Sequence, residues 1–303
     1  MFPRRRRVTA GTSTLLLVLG SLTLATAAPA AAAPAPAELC GPGSAINYNR
    51  SDFIQPTQIT NPWLTLKPGM QFTTTGTVTD VDGVHPHSVV HTVTGLTKVI
   101  DGVTTRVLWD RDYQDGQLQE SELAFFAQDR RGSVWLFGEY PEEYENGQLL
   151  GAPSTFIHGL ARAQAGYAMQ GSPHRNTPAY VQAYAPNVNF LDCGDVLYKH
   201  LRVCVPTGCY DDVMVIDEFN PLDPPSAGQQ RKYYSAGTGL IKITAVGGDS
   251  QEFMDLVKIR TLSASEINSI NNQALAQDER GYQVSKNVYA KTARAQVQVG
   301  GGS

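Results

Sequence analysis

Three histidines in one short stretch, His85, His87 and His91, stand at positions of the same parity. Side chains two residues apart on a β-strand point to the same face, so these imidazoles share a face if the strand extends back to His85. Two imidazoles on one strand can bind Zn or Cu, with the remaining ligands coming from a neighbouring strand. The alternative is structural, because Val89 and Val93 share that parity and a hydrogen-bonded core histidine gives the same pattern.

Three carboxylates form a second candidate site. Glu120 and Glu122 share a face of one strand, and Glu139 ends the next strand across a possible hairpin. Carboxyl groups about 5 to 10 Å apart suit glycoside chemistry, one as acid and the other as base or nucleophile. Acidic residues on a solvated strand are the ordinary alternative.

The stretch from Ser121 to Glu139 reads as two strands joined at Asp129-Arg130-Arg131-Gly132. Period-two alternation predicts that Trp135, Phe137 and Glu139 lie on one face, which could be a pocket wall or part of the core. Together with Trp109 they form the predicted ligand face. The Ala-, Gly-, Pro- and Gln-rich region 151–191 is expected to be a loop excursion or a short helix that acts as a lid, and its His158 is a further candidate ligand contact.

The elements that position these residues are mostly strands. A Thr- and Val-rich strand is predicted over 71–81, and Asp-Gly or Asn-Gly pairs then separate β-rich runs, as in hairpins. A capping box at Ser263 and Glu266 opens a helix that is predicted to reach about Asp278. The predicted fold is a mainly β antiparallel meander, forming a curved sheet or a lipocalin-like or lipoprotein-carrier-like barrel with a C-terminal helix. A β-sandwich is the alternative.

The chain has 303 residues, and its composition divides it into four segments. An arginine run, a short apolar stretch and an Ala-rich tract predict an export signal over 1–33. Residues 34–51 read as a Pro/Ala/Gly-rich linker, 52–280 as a single β-rich domain, and 281–303 as a flexible tail.

Charge and cysteine content narrow the function. Without the four arginines of the signal, 20 of the 24 basic residues remain against 28 acidic ones, a formal charge of −8. Such a chain lacks the basic stripe that nucleic-acid binding needs, and no run after the signal is apolar enough to span a membrane.

Four cysteines in an exported chain predict disulfides, expected as Cys204–Cys209 and Cys40–Cys193. We expect a secreted monomer.

Several motifs in a fixed order resemble an uncharacterised family of secreted actinobacterial proteins, over roughly residues 52–260. The motifs are Asn61-Pro62-Trp63 with Pro68-Gly69, Ile100-Asp101-Gly102-Val103, Ala127-Gln128-Asp129 followed by Gly132 to Glu139, and Lys232-Tyr233-Tyr234 followed by Gly237-Thr238-Gly239-Leu240. The resemblance implies secretion but no activity.

Two functions remain. The first is a secreted barrel that binds a small amphipathic ligand or a sugar in an aromatic and acidic pocket. The second is an extracellular hydrolase or lyase acting on a polysaccharide or ester, assisted by a metal or by carboxylates. The sequence has no G-x-S-x-G elbow, no local signature of a cysteine nucleophile and no phosphate-binding glycine loop. Since barrels support both functions, the fold cannot choose between them.

Overall fold

A computed structural model describes residues 38–298, which belong to one compact unit. These residues form one antiparallel sheet, one long helix α1 (Ala264–Val284) and four 3-10 turns at Arg50–Asp52, Pro186–Val188, Pro225–Ala227 and Tyr289–Lys291. The strands are β1 (Met70–Asp80), β2 (Gly83–Ile100), β3 (Val103–Gln114), β4 (Gln117–Gln128), β5 (Val134–Glu145), β6 (Gln148–Gly151), β7 (Phe156–Ile157), β8 (Gln164–Met169), β9 (Tyr180–Ala185), β10 (Phe190–Val205), β11 (Gly208–Phe219), β12 (Gln229–Ser235), β13 (Gly239–Val246), β14 (Gln251–Thr261) and β15 (Gln296–Val297). None of the helices in this range is long and apolar enough to cross a membrane.

Twelve strands close into a barrel. Their order around the ring is β1-β14-β13-β12-β11-β10-β9-β8-β5-β4-β3-β2, and β1 pairs with both β14 and β2. β6 and β7 pair with β5, and β15 pairs with the far end of β2. The predicted β meander and barrel are therefore confirmed. The β-sandwich alternative is wrong, because a single sheet closes on itself.

Hairpin turns lie where the sequence predicts them. Asp101, Asp115 and Asn146 adopt positive φ of 46°, 52° and 52°, each followed by a glycine that also has positive φ. Asp and Asn tolerate this conformation better than other residues with side chains, and glycine adopts it freely. The Asp-Gly pairs thus form the β2–β3 and β3–β4 turns, and the Asn-Gly pair forms the β5–β6 turn.

The region 151–191 is not a lid. It contains β7, β8 and β9, and β8 and β9 form part of the barrel wall between β5 and β10. The prediction of a loop excursion or short helix is wrong here because these strands are only two to six residues long. Short strands rich in Ala, Gly and Gln carry little β-propensity of their own and depend on pairing with their neighbours.

The two ends of the barrel differ. We call the end with the β2–β3, β4–β5 and β12–β13 turns the lower end, and the opposite one the upper end. Residues 54–69 cross the lower end. Asn61 Nδ2 donates to the carbonyl oxygen of Gly132 at 2.8 Å, and Gly237 N donates to that of Pro62 at 2.7 Å. Since Gly132 and Gly237 belong to turns on opposite sides of the ring, this segment closes the lower end.

Helix α1 begins as predicted and packs against the outside of the wall. Ser263 and Glu266 form the capping box, and the predicted apolar positions Ile267, Ile270 and Leu275 pack in the main hydrophobic cluster. The helix continues past the predicted end at Asp278 to Val284. Along it, Gln277 Nε2 donates to the carbonyl oxygen of Ser121 on β4, which ties the helix to the wall.

Both predicted edges of the domain need correction. Residues 281–298 are not a loose tail, because Tyr289 is fully buried and β15 pairs with β2. Residues 38–51 are not a simple linker either, because Tyr48 packs against the same cluster. The predicted export signal over 1–33 and the last five residues lie outside the described range. Both predicted disulfides, Cys40–Cys193 and Cys204–Cys209, are confirmed.

Candidate functional site

A β-bulge decides which side chains of β5 enter the barrel. Phe125 pairs with Gly138, but Phe126 pairs with Leu136, so Phe137 is an extra residue on β5. An extra residue reverses the alternation of faces beyond it. Trp135 and Phe137 therefore point outward, whereas Glu139 points inward. The prediction that Trp135, Phe137 and Glu139 share one face is wrong for this reason.

The predicted aromatic ligand face is an outer core layer. Trp109, Trp135 and Phe137 are 5 %, 2 % and 0 % exposed and pack in the cluster that α1 and the segment 46–53 cover. The indole of Trp109 donates to Gln277 Oε1 at 2.9 Å, and that of Trp135 donates to Asp129 Oδ2 at 2.9 Å. These three rings thus do not face the barrel interior.

His158 belongs to the same outer layer. Its ring lies 4.3 Å from that of Tyr48 and 5.5 Å from that of Phe137, between ring centroids. Its Nδ1 accepts a hydrogen bond from the backbone N–H of Ala165 at 3.0 Å. Burial lowers the pKa of His158, with Asp101 opposing the shift. A neutral imidazole held in this way serves packing.

The interior face is identified by charges on opposite walls that shift one another's pKa. Burial raises the pKa of Glu122 on β4 to about 8 and also raises that of Glu139 on β5, while Lys232 on β12 opposes both shifts. β12 lies on the opposite side of the ring from β4 and β5. Side chains on opposite walls interact in this way only if they point into the barrel. Helix α1, on the other face of β4, is therefore outside.

Most charged groups of the interior form ion pairs. Lys232 Nζ lies 2.5 Å from Glu218 Oε2, and His91 Nδ1 lies 3.0 Å from Asp110 Oδ1. His87 bridges two strands, with Nε2 2.5 Å from Asp112 Oδ1 and Nδ1 3.0 Å from Glu252 Oε1. Burial alone would lower the pKa of His87, but Asp112 and Glu252 outweigh it and raise the pKa to about 9.

Glu120, Glu122 and Glu139 remain without a basic partner within residues 38–298, and we call them the carboxylate triad. Glu120 and Glu139 are 6 % and 5 % exposed, and one oxygen of each, Oε2 and Oε1, has no hydrogen-bond partner among the described residues. Burial is the main cause that raises the pKa of all three, and their mutual repulsion adds to the rise for Glu120 and Glu139. The predicted grouping of these three carboxylates is thus observed, inside the barrel.

Polarity changes along the interior from the upper to the lower end. On β4 the inward positions Glu120 and Glu122 are followed lower down by Ala124 and Phe126, and all four are buried. The same order holds on four other strands, where an acid stands above an apolar residue: Asp110 above Leu108, Glu139 above Leu136, Glu218 above Ile216, and Glu252 above Met254. The upper interior is acidic and the lower interior is apolar.

The three histidines lie on one inward face of β2, as the parity of His85, His87 and His91 predicts, but each is paired with carboxylates. His85 Nδ1 lies 2.8 Å from Asp115 Oδ2. Within the described range, no group of three or more His, Cys, Asp or Glu is arranged to hold a metal ion. Metal ligation requires a neutral imidazole, whereas the carboxylates around His87 favour its protonated form.

Sequence reasoning missed several residues of the interior: Asp110, Asp112, Glu218, Lys232 and Glu252. The sequence of β3 contained a signal for two of them. Asp110 and Asp112 lie at alternate positions after Leu108, so all three side chains share one face of the strand. The pairing of β3 with β4 places both aspartates beside the carboxylate triad, because Asp110 lies opposite Glu122 and Asp112 lies opposite Glu120. The sequence alone does not give the register of β3 on β4, so these aspartates could not be connected with the carboxylate triad.

Comparisons with known proteins add little to this geometry. No family model matches the chain, and no curated protein matches it. Among solved structures, it is similar to a protein with a YmcC-like fold from Bacteroides fragilis, with a TM-score of 0.38 and 12 % identity over 69 % of this chain and 99 % of that one. A β-barrel-like protein of a domain of unknown function from Brucella abortus gives a TM-score of 0.38 and 10 % identity over 64 % and 98 %. Likeness at this level says nothing about what this chain binds.

Proposed function

We propose that this chain is a secreted carrier or receptor that binds a small cationic amphipathic molecule inside the barrel. The observation that carries the proposal is the carboxylate triad, three interior carboxyl groups without a basic partner among residues 38–298, set above an apolar lower wall. A buried carboxylate without a counter-charge is destabilising, so the folded barrel favours either a proton or a cation at each of them. An ammonium or guanidinium group bound among Glu120, Glu122 and Glu139 supplies that charge.

The lower interior suits the apolar part of such a ligand. Ala124, Phe126, Leu136 and Met254 line it, and transferring hydrocarbon from water to this surface contributes roughly 25 cal/mol per Å². Side chains alone fill a barrel of about eight strands, so twelve strands enclose a wider interior. The ligand would lie along the barrel axis with its cationic end towards the upper opening.

The proposal narrows the ligand class expected from sequence. A sugar usually stacks on exposed aromatic rings, and Trp109, Trp135 and Phe137 point away from the interior.

Secretion is part of the proposal, because two disulfides persist in an oxidising compartment.

Two matched fluorescent probes test this function. Dansylcadaverine carries an apolar ring system and an ammonium group, and dansyl-6-aminohexanoic acid replaces the ammonium with a carboxylate. With protein purified from the culture medium, we expect saturable binding of the cation and at least 10-fold weaker binding of the anion. Glu139→Gln should weaken cation binding about 10-fold or more, since a charged hydrogen bond contributes roughly 1.5–3 kcal/mol. Glu279→Gln, on the exposed face of α1, is the control. Equal affinity for both probes would contradict the proposal.

One observation keeps the hydrolase hypothesis as a second candidate. Glu122 and Glu139 are diagonal neighbours across β4 and β5, which places the two residues roughly 7–8 Å apart, with their Cβ atoms somewhat closer. This spacing, with a raised pKa for Glu122, is compatible with an acid and a base in glycoside hydrolysis. Assays with a panel of nitrophenyl glycosides and esters decide the question. Turnover that Glu122→Gln and Glu139→Gln each abolish, at unchanged thermal stability, would establish an enzyme.

A further inference from the structure

The upper end of the barrel has a composition of its own. Its turns carry exposed acids, Asp82, Glu145 and Asp249, which we call the rim acids, and exposed apolar side chains, of which Val81, Leu150 and Leu222 are 91 %, 63 % and 50 % exposed. Apart from Arg162 between β7 and β8, the connections at this end contain no lysine or arginine. The rim acids have no ion-pair partner in the part of the chain that the structure describes.

The lower end carries a mixed charge, because the acids Asp101 and Asp129 lie in its turns and Asp52 forms an ion pair with Arg130. Arg130 and Arg131 are exposed in the β4–β5 turn, Arg175 is exposed between β8 and β9, and Lys67 lies on the segment that closes this end. The exposed charges of the strand connections are therefore almost all acidic at the upper end and mixed at the lower end. The acidic upper end draws a cation toward it and repels an anion.

The carboxylate triad lies next to the upper end of the barrel. Glu120 is the uppermost member and lies on β4 only two residues after Leu118, next to the β3–β4 turn. It is 6 % exposed, and its Oε2 has no hydrogen-bond partner in the range 38–298. Asp112, opposite it on β3, adds negative charge at the same level. Carboxylates thus continue from the exposed rim to the buried triad.

We infer that the upper rim is the entrance for the ligand and selects cationic amphiphiles kinetically, before they reach the triad. This inference rests on the proposed function and adds a separate role: the rim acids accelerate association, and the triad slows dissociation. The exposed Val81, Leu150 and Leu222 contact the apolar part of the ligand during entry. Charges at the rim of a site mainly change association rates, whereas buried charges mainly change dissociation rates.

Stopped-flow fluorescence with dansylcadaverine separates these roles. The rim variant Asp82→Asn/Glu145→Gln/Asp249→Asn should lower the association rate constant about 3- to 10-fold at 10 mM salt, with an unchanged dissociation rate constant. Raising the salt concentration to 300 mM should lower the association rate constant of the probe with the wild type, because salt screens exposed charges. The association rate constant of the rim variant should change much less.

A matched variant controls for net charge. Asp211→Asn/Asp212→Asn/Glu279→Gln removes the same three charges from the lower part of β11 and from α1, where all three residues are exposed. Its association rate should stay within twofold of the wild type. If the rim and control variants slow association equally, the entrance is not at the upper rim, although binding itself stands. If the wild type does not bind the probe, or Glu139→Gln leaves dissociation unchanged, the proposed function fails instead.

Discussion

At the scale of single residues, the pKa of Glu122 gives a stability test that does not depend on a ligand. Burial raises this pKa from 4.5 to about 8. Between these values the folded state holds a proton that the unfolded state has released. The stabilisation by this proton is therefore fully present below pH 4.5 and is lost as the pH rises through 8.

Glu122→Gln removes that ionisation with little change in shape. We expect the variant to exceed the wild type in free energy of unfolding by about 1–4 kcal/mol at pH 9, and to differ little at pH 4. Urea denaturation at several pH values between 4 and 9 measures the difference. Parallel pH profiles for the two proteins would show that Glu122 ionises in the folded state as it does in the unfolded one. Glu279→Gln should follow the wild type at every pH.

Gly138 is a second residue with a decisive role, because it lies at the bulge that turns Glu139 inward. Its φ is 156°, and a Cβ there would lie 2.5 Å from the carbonyl oxygen of Phe156. Gly138→Ala should lower the free energy of unfolding by about 1–3 kcal/mol or more, since it combines strain with a backbone clash.

Gly116→Ala is the matched control for Gly138→Ala. Gly116 also has positive φ, 74°, but a Cβ there would meet nothing within 4 Å. Its substitution should cost only about 1 kcal/mol. Chemical denaturation of the two variants isolates the clash with Phe156. Equal losses would mean that β5 and β7 can separate at the bulge.

At the scale of secondary structure, α1 is held to the barrel by a buried cation. Lys98 Nζ on β2 lies 2.8 Å from Asp278 Oδ1, donates to the hydroxyl of Tyr282 and the carbonyl oxygen of Ala293, and sits 4.2 Å from the centroid of the Tyr289 ring. Burial lowers the pKa of this ammonium, and Asp278 opposes the shift. One charge thus joins the wall, the helix and the C-terminal segment.

Lys98→Met should destabilise the protein by about 3–5 kcal/mol, because it leaves Asp278 buried without a counter-charge. Adding Asp278→Asn should recover part of that loss. Hydrogen exchange of residues 264–284 is the measurement, and protection there should fall further than in β11 and β12. A uniform loss of protection would instead make α1 part of one cooperative unit with the barrel.

The same elements show what sequence can and cannot predict. The Asp-Gly and Asn-Gly turns and the Ser263 capping box act through local conformational preference, so they could be read directly. The bulge at Phe137 could not, because it depends on pairing between β4 and β5. On β4 both faces are buried, by α1 outside and the closed barrel inside, so alternation between polar and apolar residues did not mark the two faces.

At the scale of the whole molecule, the candidate site depends on closure, which joins residues far apart in sequence. Glu122 and Lys232 lie on opposite walls of one interior only because β1 pairs with both β2 and β14. The sequence could predict the strands and the helix. That β4 and β12 lie on opposite walls of the barrel follows from the number of strands and their register. For this reason the sequence did not predict that the barrel interior contains Lys232, Glu218 and Glu252.

The two disulfides should contribute unequally to the stability of that closed form. Cys40–Cys193 links residues 153 apart, whereas Cys204–Cys209 links residues 5 apart. In the loop-entropy description the longer bridge contributes about 5 kcal/mol and the shorter about 2 kcal/mol, by restricting the unfolded chain. Cys40→Ser/Cys193→Ser should therefore lower Tm clearly more than Cys204→Ser/Cys209→Ser. Differential scanning calorimetry of both double variants tests the ranking. A larger loss from the short bridge would mean that the β10–β11 hairpin, and not the attachment of the N-terminal segment to the wall, limits the stability of the barrel.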